Sequence, residues 1–180
     1  MIRILFLLTF SSFITINAQQ TESKMGPILE SFGNVYQLEN PDLLLKKDKE
    51  YKVIFDIYTD RSKGKKINPL LNTVARYLNM HAQQGVLPTN MKVIVIMHGA
   101  ATKSVLSDTA YQKQYKTENP NSQLIHALKK ANVELFVCGQ SYLAHGFEIT
   151  EKSEEVKLAL SALTALVEYQ SEGYQLINFN

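Results

Sequence analysis

VELFVCGQSYLAHG, residues Val133 to Gly146, is a β-branched and aromatic run that stops at a glycine and carries the only cysteine of the 180-residue chain. Val133 to Val137 predicts a buried strand of an α/β sheet leading into Cys138, and Gln140-Ser141 predicts a turn or short helix after it. Ligands of such sheets sit beyond the carboxyl ends of the strands. Cys138 therefore stands where a reactive group would be placed, followed by backbone amides that favour a thiolate over a thiol. Free cysteine is also among the most buried residue types and serves as a small hydrophobe. A functional thiol and a packing residue both remain open on this reading.

On the carboxyl side of this stretch, Val156 to Leu160 (VKLAL) predicts another strand, Ser161 caps a helix running through Glu172, and Gly173 ends that helix before a last strand, Tyr174 to Phe179. On the amino side, Asn119-Pro120 has the form of a cap followed by a first-turn proline. Leu124, Ile125, Leu128 and Ala131 supply the buried face of the helix it opens, closed by Asn132. Before it, Met91 to Met97 (MKVIVIM) is apolar without alternation, as in a parallel strand buried on both faces, and runs into His98-Gly99. The long polar connection from Ala100 to Glu118 predicts a segment covering a site, with at most a short helix at Val105-Leu106. Further back, Tyr51 to Tyr58 (YKVIFDIY) reads as an apolar strand interrupted by Asp56. Asn68-Pro69 then starts a helix whose Leu70, Leu71, Val74 and Leu78 share a face, ending at Gly85. Five strands alternating with helices define an α/β protein, a three-layer α/β/α sandwich.

The domain so read spans residues 51–180. Residues 19–50, punctuated by Gly26-Pro27, Gly33-Asn34 and Asn40-Pro41, have too few periodic apolar positions for a core of their own. They predict an arm laid across this domain or a neighbouring subunit, with one short strand at most. Residues 1–18, MIRILFLLTFSSFITINA, combine Arg3, an apolar run and Ala18 at a cleavage position, and the polar QQTESK follows at once. That is the pattern of a secretory signal peptide, too short for a spanning helix. Cleavage after Ala18 predicts a periplasmic or secreted protein with no membrane attachment. The 19 Lys and Arg then become 18 against 17 Asp and Glu, which gives no electrostatic footprint for nucleic acid. One cysteine in an oxidising compartment excludes an internal disulfide.

Taken in order, several short motifs resemble the DsrE/DsrF-like (YchN-like) superfamily, and especially its exported bacterial members. They are Asn79-Met80-His81, His98-Gly99, Asn119-Pro120-Asn121, Cys138-Gly139-Gln140-Ser141, Ser161 to Leu166 (SALTAL) and Gly173-Tyr174. The resemblance covers most of residues 51–179. It implies a five-stranded parallel sheet with the second and third strands adjacent and self-assembly into trimers or hexamers. For the cytoplasmic relatives it also implies a cysteine that accepts sulfane sulfur as a persulfide and hands it on. The donor and acceptor proteins of such a relay are not named by the sequence.

That chemistry needs a thiolate, and an ordinary thiol with pKa about 8.5 is only a few per cent ionised near neutrality. The amides of Gly139, Gln140 and Ser141 and the imidazole of His98 are candidates to shift it. His98 ends the second strand as Cys138 ends the third, so parallel pairing would put both at one rim. The candidate site is therefore Cys138 and His98 as the reactive pair, with Gly99, Gly139, Gln140 and Ser141 as binding residues. His145 would complete a soft ligand set with Cys138 and His98, but the spacing matches no zinc signature, and no metal or cofactor is assigned. Walker, dinucleotide and nucleophile-elbow motifs are absent, so no conventional enzyme is indicated. The alternative is a non-catalytic exported protein that binds a small molecule or metal, or acts as a scaffold oligomer, with a structural cysteine.

Overall fold

The structure, a computed structural model, describes residues 22–62 and 66–179. The leader reading for residues 1–18 lies outside the described residues. Five parallel strands form one sheet: β1 (Tyr51–Ile57), β2 (Met91–Met97), β3 (Glu134–Cys138), β4 (Lys157–Ala159) and β5 (Gln175–Asn178), in the order β4-β3-β2-β1-β5. β2 and β3 are neighbours, with Met97 aligned to Val137, and β1 pairs with β2 from Tyr51–Met91 to Ile57–Met97. The Val/Ile-rich β1 and β2 occupy the sheet's interior, where both faces are covered, which is why neither alternates apolar with polar.

One face carries most of the core. Helices α1 (Pro69–Gln83) and α3 (Ser122–Lys130) bury Leu71, Val74, Leu124, Ile125 and Leu128 against Phe55, Val95 and Val137. Among the described residues the other face is covered by one helix, α5 (Ala162–Ser171), over Ile54, Ile94, Ile96 and Cys138. α1 begins as its sequence dictates: the Asn68 side chain accepts from Leu70 N–H at 3.0 Å and Pro69 takes the first turn. Ser161 caps α5 by accepting from Thr164 N–H at 3.0 Å.

The Asn119-Pro120 expectation is corrected. α3 starts two residues later, at Ser122 behind Asn121: Asn119 Oδ1 accepts from Asn121 N–H at 2.9 Å in a turn that precedes the helix, while the Asn119 NH2 donates to the carbonyls of Ser104 and Leu106. The Asn121 side chain in turn accepts from Asn68 N–H at 2.7 Å. These buried asparagines brace the loops on the α1 side of the sheet's carboxyl rim. The connection after β2 also holds more structure than its polarity suggested, namely a 3-10 segment at Gly99–Val105 and a helix, α2 (Asp108–Tyr115), capped by Ser107.

The arm lies on α1 of its own domain. Among the described residues its sheet-like pairing is one antiparallel bridge between Lys24 and Val35. Asn79, fully buried on α1, accepts from the amides of Ile28 and Leu29 and donates to the carbonyls of Leu29, Phe32 and Gly33. Gly33 has a positive φ of 66° and abuts the α1 backbone so closely that a Cβ would lie 2.4 Å from Ala75 C, so only glycine passes there. Between arm and helix runs an apolar cleft of about 590 Å³ lined by Val35, Leu38, Leu43, Leu45 and Met80, with Arg76 at its edge.

Candidate functional site

Cys138 is the last residue of β3 and the cap of a short helix, α4 (Gly139–Ala144). Strand parity turns its side chain to the α5 face, into the cluster with Ile96 and Ala162, where it is 4% exposed. Gly139 is close-packed, since a Cβ there would meet the Ala159 carbonyl at 3.0 Å and the Leu160 carbonyl at 3.5 Å. The turn from β4 into α5 therefore passes over the start of α4 and covers the thiol. β4 is an edge strand of three residues, the shortest of the sheet.

Ser141 N–H points at Sγ from 3.4 Å. Burial pushes the thiol up, and it is the largest single influence. The side chain and amide of Ser141, with the amides of Ala162 and Gln140, together outweigh it and bring the thiol below its ordinary value. This is the balance expected when a sulfur caps a helix start: desolvation disfavours the anion and converging N–H groups favour it. Gln140 is exposed and contributes through its backbone.

His98 follows β2, and the alignment of Met97 with Val137 sets it beside Cys138 on the same sheet face. No hydrogen bond joins the two side chains. His98 Nε2 instead meets Asp56 Oδ1 at 2.8 Å, and because a carboxylate only accepts, that nitrogen carries the proton. The imidazole also lies near the Tyr58 ring, with centroids 6.2 Å apart. Gly99 lets the chain turn immediately after His98. Its φ is +52°, and a Cβ would stand 2.7 Å from the Tyr58 carbonyl.

Asp56 is the functional candidate that sequence reasoning passed over, since a lone acid in an apolar strand reads only as an interruption. Its burial was the signal. His145 sits at the far end of α4, exposed, with Nδ1 donating to the Ser141 carbonyl at 2.7 Å, and does not converge with Cys138 and His98. Among the described residues no group of three or more His, Cys, Asp or Glu side chains is arranged to hold a metal ion. No helix among them is long and apolar enough to cross a membrane.

A five-stranded, all-parallel α/β sheet in the order β4-β3-β2-β1-β5 defines a fold class, and comparison with known proteins names it. The model of the DsrE/DsrF-like family matches residues 52–179. The chain belongs to that family. Two solved structures share the fold with a TM-score of 0.52 each: MTH1491 from Methanobacterium thermoautotrophicum, a protein of unknown function, and the ychN protein from E. coli. The first is 20% identical and the second 16%; each alignment covers 72% of this chain and 100% and 99% of the other, respectively. No curated protein matches.

Proposed function

We propose that the chain is an exported carrier of sulfane sulfur, which Cys138 takes up and passes on as a persulfide. The observation behind this reading is the setting of the thiol, with Ser141 N–H directed at Sγ and hydrogen bonds that lower its pKa against the effect of burial. A thiolate so held attacks a polysulfide. A bond forms from Sγ to one sulfur, the adjoining S–S bond breaks, and the shortened polysulfide leaves as an anion. Attack by an acceptor thiolate on the outer sulfur reverses the exchange and restores the Cys138 thiolate. Membership of the DsrE/DsrF-like family supports the reading, because sulfur carriage through a cysteine is what that resemblance implies.

The leader pattern in residues 1–18 supports export of this carrier to the periplasm or outside the cell. Self-association is part of the proposal. Along β4 and the outer side of α5, Leu160, Leu163 and Val167 are 72%, 80% and 68% exposed, an apolar ridge next to the covered thiol and suited to a second copy. The low exposure of Cys138 favours a second reading, in which the thiol is a packing residue of a binding or scaffold oligomer. Intact-mass analysis of the reduced, folded protein after inorganic polysulfide separates them. A carrier gains sulfur at Cys138, loses it to reductant, and gains none as Cys138→Ser. A packing residue is modified only after unfolding.

A further inference from the structure

Asp56 is the one polar residue in the buried part of β1, between Val53 and Ile57. A carboxylate there is costly unless something compensates it. Among the described residues its one hydrogen-bond partner is His98 Nε2, at 2.8 Å, with the two side chains 10% and 27% exposed. Asp56 is aligned with Ile96, two residues before His98 on the same face, and His98 stands beside Cys138. Carboxylate, imidazole and thiol thus follow one another across three neighbouring strands at the carboxyl rim. The proton on Nε2 leaves Nδ1 as the basic nitrogen, and Nδ1 makes no hydrogen bond among the described residues. Backbone amides face the Cys138 sulfur, whereas no hydrogen bond joins the imidazole to it. His98 is also the more exposed of the two, and an arriving molecule meets it first.

We propose that His98 Nδ1 accepts the proton of the thiol that takes sulfur from Cys138, and that Asp56 is the positioning residue which fixes the tautomer making this possible. This rests on the carrier reading. In the step, the acceptor R–SH gives its proton to Nδ1, and R–S⁻ attacks the outer sulfur of the Cys138 persulfide. The new S–S bond forms as the Sγ–S bond breaks, Cys138 leaves as a thiolate under the Ser141 amide, and the product is R–S–SH. The proton stays on His98, whose imidazolium faces Asp56, and then passes to water. The sulfane sulfur changes partner with no external oxidant or reductant.

Two measurements test this. Nitrogen NMR of the histidine-labelled protein should show His98 as the Nε2–H tautomer, and the opposite tautomer would overturn the proposal without any variant. Single-turnover hand-off from polysulfide-loaded protein to 2-mercaptoethanol should slow about 100-fold in His98→Gln and about tenfold in Asp56→Asn, in the range of a lost proton acceptor and its orienting group. Asp56→Glu should recover part of the rate. A purely structural carboxylate predicts hand-off rates in His98→Gln and Asp56→Asn within about twofold of wild type once folding is verified, which would sink the proposal. If Asp56→Asn does not fold, the wild-type tautomer and His98→Gln decide. If wild type cannot be loaded at all, the carrier reading fails and takes this role with it; if it loads and the variants hand off normally, only this role is lost.

Discussion

Replacing Asn79 with Ala removes the amide that clasps the arm, and the structure sets the size of the effect. Five hydrogen bonds to the segment Ile28–Gly33 disappear, and the cavity left is lined by their former partners. If the arm stays in place, its buried peptide groups lose their partners, at about 1–3 kcal/mol for each group left unsatisfied. If the arm lifts off, Leu29 and Val35, both nearly fully buried, return to water at about 1.5–3 kcal/mol apiece. The second route is cheaper and sets the ceiling, so Asn79→Ala should lose about 3–6 kcal/mol in urea unfolding. The arm should also become cleavable by trypsin near Lys46 and Lys47 under native conditions. α1 packs on the sheet face opposite Cys138, and alkylation of Cys138 in folded Asn79→Ala should therefore match wild type. A variant that unfolds within about 1 kcal/mol of wild type and keeps a protected arm would show that Asn79 does not hold the arm.

Other expectations concern the thiol, the surface and the aromatic core. Ser141→Ala deletes a hydrogen bond that favours the thiolate, and alkylation at neutral pH should slow by up to about tenfold, the rates converging at alkaline pH. Leu163→Lys with Val167→Glu should shift sedimentation toward monomer with little change in unfolding free energy, because both side chains project from the sheet. Burial holds the His81 imidazole, which packs on Tyr77 at 3.9 Å between ring centroids, below its ordinary value of 6.5. Its contribution is therefore present above that value and lost as pH falls through the lower folded value, and His81→Phe should flatten the stability loss seen by urea titration between about pH 7 and pH 5. The Tyr142 hydroxyl is buried without a partner among the described residues, so Tyr142→Phe should be neutral or stabilising by about 1 kcal/mol in the same assay.

The strands were legible where burial on both faces wrote itself as uninterrupted Val and Ile, as in MKVIVIM, and the α1 and α5 caps where Asn68-Pro69 and Ser161 stand before apolar periodicity. α2 was not, because DTAYQKQY buries only Ala110 and Tyr111 and its polar remainder hides the period. Cys138 and His98 could be placed at one rim from sequence order alone. Asp56 could not be joined to them, since only strand register shows which strand-end histidine faces it. Asn79 was visible as part of a motif, but its partners lie about fifty residues away in the arm, and hydrogen bonds at that separation leave no local pattern.

The central claim, that Cys138 is a thiolate built for transfer, is tested most directly by the rate of iodoacetamide alkylation of the folded protein against pH. With one cysteine the signal belongs to a single residue. Reaction is expected in the native state through transient opening of the β4–α5 turn, with a midpoint below that of the same chain in denaturant. A folded protein that stays unmodified across the whole range while the denatured chain reacts fully, or one whose midpoint lies above the denatured value, would contradict it.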